Sequence, residues 1–257
     1  MTGTTMPALF VGHGNPMHAI EETSFAAAWR EVVTRFPRPA AILAISAHWE
    51  TDGARVTTME RPATIHDFFG FPAELSRVQY PAPGSPALAE RLRLLAGAEV
   101  AADDAWGLDH GSWSVLRRMY PAADIPVVQL SLDRQRSPGE HLALAARLRP
   151  LRDEGVLIFG SGNLVHNLRL LRWEDNRPYP WAVEFDALAT QLALAGDLAR
   201  LADYPAFGEA ARLAIPTNEH YLPLLYVLAL RRADEPVVSF IEGIELGSIS
   251  MRSFLIG

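Results

Sequence analysis

Five of the eight histidines in this 257-residue chain stand where side chains from separate elements can meet. His13 follows an apolar run in ALFVGHGNPM, His48 ends one in AISAHWE, and His166 follows one in LIFGSGNLVHNL. His110 in GLDHGSWSVL and His220 in NEHYLPLLYVLAL both sit at helix starts. Singly, each has the ordinary reading of a strand-end histidine bonded to backbone; it is their shared placement that points to a common site. Imidazole suits Zn, Fe, Cu and Ni, and the long separations in sequence disfavour a structural zinc finger. The chain has no cysteine, which excludes disulfides and thiolate sites and leaves an all-histidine or histidine–carboxylate site. The candidate ligands are His13, His48 and either His220 or its neighbour Glu219. Adjacent helix residues point about 100° apart, so one of that pair faces an ion. Three protein ligands with open positions make a site catalytic in character.

The elements that must position these residues are legible in outline. ALFVG (8–12), AAILAISAHW (40–49), IPVVQLSL (125–132), GVLIFGSGN (155–163) and PVVSFIEG (236–243) read as short strands buried on both faces. ARVTTM (54–59) reads as an edge strand or hairpin partner. Helices alternate with them over 24–36 and 180–196, after Ser85, and after Ser137, where Pro138 and Glu140 complete a capping box. Asp109 or Ser112 is a candidate cap for the helix after His110, and Thr217 or Asn218 for the helix around His220. The alternation indicates an α/β fold, a single layered domain over residues 1–257 with a central, largely parallel or mixed sheet flanked by helices. In such a sheet the carboxyl ends of parallel strands form the ligand-binding rim. Gly12 and Gly14 would then let backbone and imidazole approach the centre closely. The segment 61–84, rich in aromatics, Pro and Gly, has no clear period and reads as a functional or covering loop. Of the remaining histidines, His18 lines a pocket or faces water, His66 lies in that loop, and His141 reads as a solvated or hydrogen-bonded helix residue.

Composition narrows the function. Net charge is −7, from 23 basic and 30 acidic residues, with no basic run, which argues against nucleic-acid binding. No 18-residue apolar run suggests a membrane span, and MTGTTMPALF lacks the pattern of a signal peptide, so a cytoplasmic protein is expected. GHGNP and FGSGNL match neither a dinucleotide fingerprint nor a P-loop. Ser161 lacks the surroundings of a nucleophile elbow.

Taken together, FVGHGNPM, AISAHWE, DHGSWSVL, GSGNLVHN, NEHYLPLL and GSISMRSF, in that order over nearly the whole chain, resemble the class III extradiol ring-cleaving dioxygenases, in particular the 4,5-DOPA dioxygenase extradiol-like branch. The resemblance implies one non-haem Fe(II), or Zn(II) in some members, bound by His13, His48 and His220. It also implies that His110 and His166 form an acid–base pair, with His166 alternatively a fourth ligand suited to tetrahedral zinc. The implied reaction inserts O2 into a small-molecule catechol beside its hydroxyls. Asn15, Trp106 and Tyr221 are candidate substrate contacts, as are Trp49, Phe68, Phe69 and Trp113. Two other readings stand beside this one: a zinc-dependent hydrolase, and a non-catalytic binding protein on the same fold. Nothing in the pattern specifies an oligomeric state.

Overall fold

A computed structural model describes residues 5–257; Met1–Thr4, the start of the segment read for a signal peptide, lie outside the described residues. The strands are β1 (Ala8–Gly12), β2 (Ala41–Thr51), β3 (Ala54–Thr57), β4 (Val100–Asp103), β5 (Val127–Asp133), β6 (Val156–Gly162), β7 (Val237–Ile241), β8 (Ile244–Glu245), β9 (Ile249–Ser250) and β10 (Ser253–Ile256). Eight of them form one sheet in the order β4-β3-β5-β2-β6-β1-β10-β7, and β8 pairs with β9 apart from it. The four central strands β5-β2-β6-β1 are parallel, while β10 runs antiparallel to β1 and β3 antiparallel to β5.

These central strands are apolar almost throughout because both faces are covered. Phe10, Leu43 and Ile158 face one core, and Leu9, Ile42 and Phe159 face the other, as the two-residue alternation of a strand requires. Helices Pro138–Arg147, Pro180–Ala195 and Leu222–Ala229 cover the first face, and Ser24–Val32 with His110–Met119 covers the second. The capping box at Ser137 and Glu140 forms as the sequence indicates, and Ser85 caps the helix Pro86–Ala96.

Three expectations change. Strand β3 is neither an edge nor a hairpin partner of β2: it lies between β5 and β4, and β4 is the edge. Strand β7 is the opposite edge and only half-buried, so its apolar run covers one face. His220 lies in a turn ahead of Leu222–Ala229, and no side chain caps that helix; the Asn218 carbonyl accepts from the Tyr221 and Leu222 N–H groups instead.

His141 is fully buried, not solvated, with Nδ1 2.9 Å from the Tyr226 hydroxyl. Burial, assisted by the Arg136 charge, lowers its pKa from 6.5 to about 4. The folded protein therefore holds this ring neutral, and its contribution to stability is complete above about pH 6.5 and lost as pH falls towards 4. Between about pH 7.5 and pH 4.5 the loss is roughly 2 to 3 kcal/mol. Urea midpoints across that range should fall less steeply for His141→Gln, whose amide stays neutral, than for the parent.

Candidate metal centre

The parallel strands bring their carboxyl ends to one rim, and three histidines sit on it. His13 follows β1, with its N–H donating to the Gly162 carbonyl at 3.2 Å. His48 lies near the end of β2, where pairing with β5 shifts register between Ile45 and Glu50, a bulge that re-aims the side chain. His166 follows β6, bridged to Ile249 of β9. His110 opens the helix His110–Met119, whose cap is Asp109: its carboxylate accepts the Ser112 N–H and is buried against Ser46 and Gln129. The His220 carbonyl accepts the Asn163 N–H at 2.8 Å, tying its turn to the end of β6.

All five rings form one cluster. The His13 centroid is 5.0 Å from His48, 5.3 Å from His220 and 5.7 Å from His110; His48 and His110 are 3.9 Å apart, and His166 stacks on His220 at 3.4 Å. Distance alone divides the potential ligand atoms into two triads, His13–His48–His110 and His166–Glu219–His220. Hydrogen bonding orders them differently. The Ser161 hydroxyl donates to the Gly111 carbonyl at 2.6 Å, so its oxygen accepts from His13 Nδ1 at 2.9 Å. That leaves the Nε2 lone pair of His13 free. His220 Nδ1 donates to Glu219 Oε1 at 2.9 Å, and its Nε2 is buried without a partner. His48 Nδ1 is 3.3 Å from Asp67 Oδ2, while its Nε2 lies 3.1 Å from His13 Nε2. If His48 carries its proton on Nδ1 towards Asp67, the two Nε2 atoms present lone pairs to each other, and a cation between them relieves the repulsion. A buried, unpartnered nitrogen beside them is the arrangement a divalent cation satisfies. The donor set of neutral imidazoles fits Fe(II) or Zn(II).

Electrostatics agree. Burial lowers the pKa of His13, His48 and His220 well below 6.5, and the neighbouring histidines lower each further. Neutral imidazole is the ligating form. Burial, then His110, takes His166 down to about 4. Asp67 goes the other way: burial alone would raise it, but the close contacts with His110 and the His110 and His48 charges take it down to about 2. Its Oδ1 accepts the His110 backbone N–H at 2.9 Å and lies 2.9 Å from His110 Nδ1, though off the axis a hydrogen bond to that nitrogen needs.

The glycines act differently from expectation. A Cβ on Gly12 would strike the Met251 backbone at 2.7 Å, and one on Gly14, at φ +56°, would strike the Met251 sulfur. These two make room for the C-terminal segment. The glycine that admits an imidazole is Gly111, where a Cβ would come within 2.8 Å of the His48 ring.

The proposed substrate contacts divide. Asn15 accepts the Met17 N–H at 2.9 Å and also lines a cleft beside His166. Tyr221 does not join the histidines: it is buried, its hydroxyl donates to the Leu201 carbonyl, and its ring packs against Phe185 and Tyr204. Its apolar helix draws it into the core. Trp106 stacks on Trp49 at 5.7 Å and 3°. Trp113 is buried with its indole N–H on the Ile65 carbonyl, and Phe69 is 95% exposed. Phe68 does reach the cluster, edge-on to His110 at 5.5 Å. His66 is turned away, with Nε2 2.9 Å from the Val78 carbonyl, and His18 is buried against Glu245 rather than hydrated. Asp67 escaped sequence reasoning. Its only signal was a carboxylate inside the aperiodic aromatic loop, and that loop returns to the rim only in three dimensions.

Glu219 is set to orient the ring it bonds, since its Oε1 also accepts from the Thr217 hydroxyl at 3.0 Å. Carboxylates behind ligating histidines typically contribute about 10- to 100-fold to metal affinity or activity. Glu219→Gln, which keeps the shape but not the charge, is expected to weaken metal binding by that factor in a chelator titration.

Comparison with known proteins gives concordant matches. The family model for the catalytic LigB subunit of aromatic ring-opening dioxygenase matches residues 5–236. A protein named 4,5-DOPA dioxygenase extradiol from Escherichia coli K12 is 50% identical, with 100% of this chain and 97% of the relative aligned. One of the same name from Beta vulgaris is 43% identical over 84% of this chain and 83% of its own length. A crystal structure of an uncharacterized protein from Escherichia coli K12 superimposes with a TM-score of 0.84 at 45% identity, covering 98% of this chain and all of that one.

Proposed function

The chain belongs to the LigB family of aromatic ring-opening dioxygenases, and from that premise we propose that it is a metal-dependent extradiol dioxygenase, one catalytic domain acting in the cytoplasm on a DOPA-like catechol. The observation that carries this reading is the clustering of the His13, His48 and His220 rings, with centroids 5.0 to 5.3 Å apart and each Nδ1 facing an oxygen. These three would hold Fe(II), with Zn(II) the alternative ion. When bound, the metal supplies a Lewis-acid anchor for the catechol oxygens and a place for O2.

The remaining work falls to side chains. Ser161, Asp67 and Glu219 hold the three rings in one tautomer and orientation. His166 is neutral at physiological pH and is assigned to accept the second catechol proton. Its face-to-face stacking at 3.4 Å and 8° on His220 favours that role over a fourth ligand, since an imidazole offers its lone pair from a ring edge and not from its face. His110, beside the Asp67 carboxylate, is assigned to donate a hydrogen bond on the oxygen side and a proton when the O–O bond breaks. In the overall change both oxygen atoms enter the product, and the ring carbon–carbon bond next to the diol is cleaved.

The test is oxygen uptake by anaerobically Fe(II)-loaded protein across a catechol panel, with products identified by mass. A ring-opened product heavier than the substrate by two oxygen atoms supports the proposal. Zinc-dependent hydrolysis without oxygen uptake would replace it with the hydrolase reading, and failure to bind any divalent metal would favour a binding protein.

A further inference from the structure

The cleft beside His166 is lined by apolar groups, among them Phe71, Leu168, Leu171 and Ile249, and by one carboxylate, Glu245. A charged group in an apolar wall is costly unless something compensates it. Glu245 is only partly compensated. Its Oε2 accepts from His18 Nε2 at 2.9 Å, and that contact is its one ion pair among the described residues. The His18 ring is held from behind by the Thr23 hydroxyl, 3.2 Å from Nδ1. A carboxylate has no proton to give here, so the His18 Nε2 N–H donates to it, and the rest of the Glu245 carboxylate faces the cleft. Gly14 borders this group: a Cβ there would lie 3.3 Å from Glu245 Oε2. Among the described residues, no arginine lines the cleft.

Register sets the distance from the histidines. Glu245 pairs with Ile249, and Ile249 bridges to His166. Two strand spacings place the Glu245 and His166 backbones about 10 Å apart. That span accommodates an aromatic ring at His166 with a short aminoalkyl arm reaching Glu245.

We infer that Glu245, oriented by His18, is a specificity-determining residue that binds the side-chain ammonium of a catechol substrate and discriminates against catechols bearing only a carboxylate. The inference rests on the ring-opening reading above and extends it to the part of the substrate remote from the diol. A charge-assisted hydrogen bond in a partly dry cleft is worth about 10- to 100-fold in binding.

The experiment compares parent and Glu245→Gln proteins, loaded with Fe(II), on dopamine, DOPA, 4-methylcatechol and 3,4-dihydroxyphenylacetate. In the variant, KM for the two amines should rise about 10- to 100-fold. KM for 4-methylcatechol should hold within about twofold, and the anionic catechol should improve. Equal effects on all four substrates, or none on the amines, would overturn the assignment. Dopamine binding is also measured by calorimetry on metal-free protein, with circular dichroism checking the variant's fold. If the parent opens no catechol, the ring-opening reading fails. The ammonium site then stands or falls on whether Glu245→Gln weakens dopamine binding.

Discussion

Replacing His220 by alanine is expected to remove metal and oxygen uptake together, with turnover reduced at least 100-fold, beyond the effect of losing its orienting carboxylate. The reason lies in how the ring is held. Its Nδ1 is committed to Glu219, and its Nε2 is buried without a partner, so the native fold already bears the cost of desolvating that nitrogen. A bound cation recovers this cost and also relieves the opposed nitrogens of His13 and His48 at 3.1 Å. Binding to the folded state alone also raises its stability by mass action. Divalent metal should therefore raise the melting temperature of the parent, and a chelator should reverse the rise. In His220→Ala both responses should vanish while the metal-free variant stays folded. Metal analysis after gel filtration and thermal melts with and without metal check the result; a variant retaining metal at the parent's affinity would remove His220 from the ligand set.

His110→Ala should separate chemistry from metal binding. Loss of a positioned acid–base group typically costs about 10²- to 10⁴-fold in rate, so kcat should fall by that factor while metal content is unchanged. The expectation follows from the partners of the two rings. His110 is tethered through its backbone N–H to Asp67 and has its Nδ1 against the same carboxylate, whereas His220 has an unpartnered Nε2 and the Nε2 atoms of His13 and His48 face each other. The separation of kcat from metal occupancy is the decisive readout, since distance alone places His110 with His13 and His48. Parallel loss of iron and activity in His110→Ala would instead make it a ligand.

Much of this architecture was legible before any coordinates. The helices after Ser85, Asp109 and Ser137 announce themselves by local chemistry, because a cap bonds an N–H three residues away. The parallel central strands announce themselves by unbroken apolarity, because both faces are covered. Strands β4 and β10 were not legible: each is four residues long and takes its partner from a distant segment. The placement of β3 failed for the same reason, since sheet order is a non-local choice that a short apolar stretch does not encode.

At the site, sequence by itself determined which side chains are available. It supplied histidines at strand ends and turn positions, no thiol, and a carboxylate next to His220. A parallel sheet then requires that strand-end residues share one rim. Tertiary structure decided what each side chain does. The turn before Leu222–Ala229 sets Glu219 behind His220, and the path of β6 sets Ser161 behind His13. The return of loop 61–84 brings Asp67 between His48 and His110, and the pairing of β8 with β9 carries Glu245 to the cleft. Roles depend on hydrogen-bond partners a few ångströms away in space. Those partners lie up to 227 residues away in sequence, as His18 and Glu245 do, at separations where no local periodicity survives.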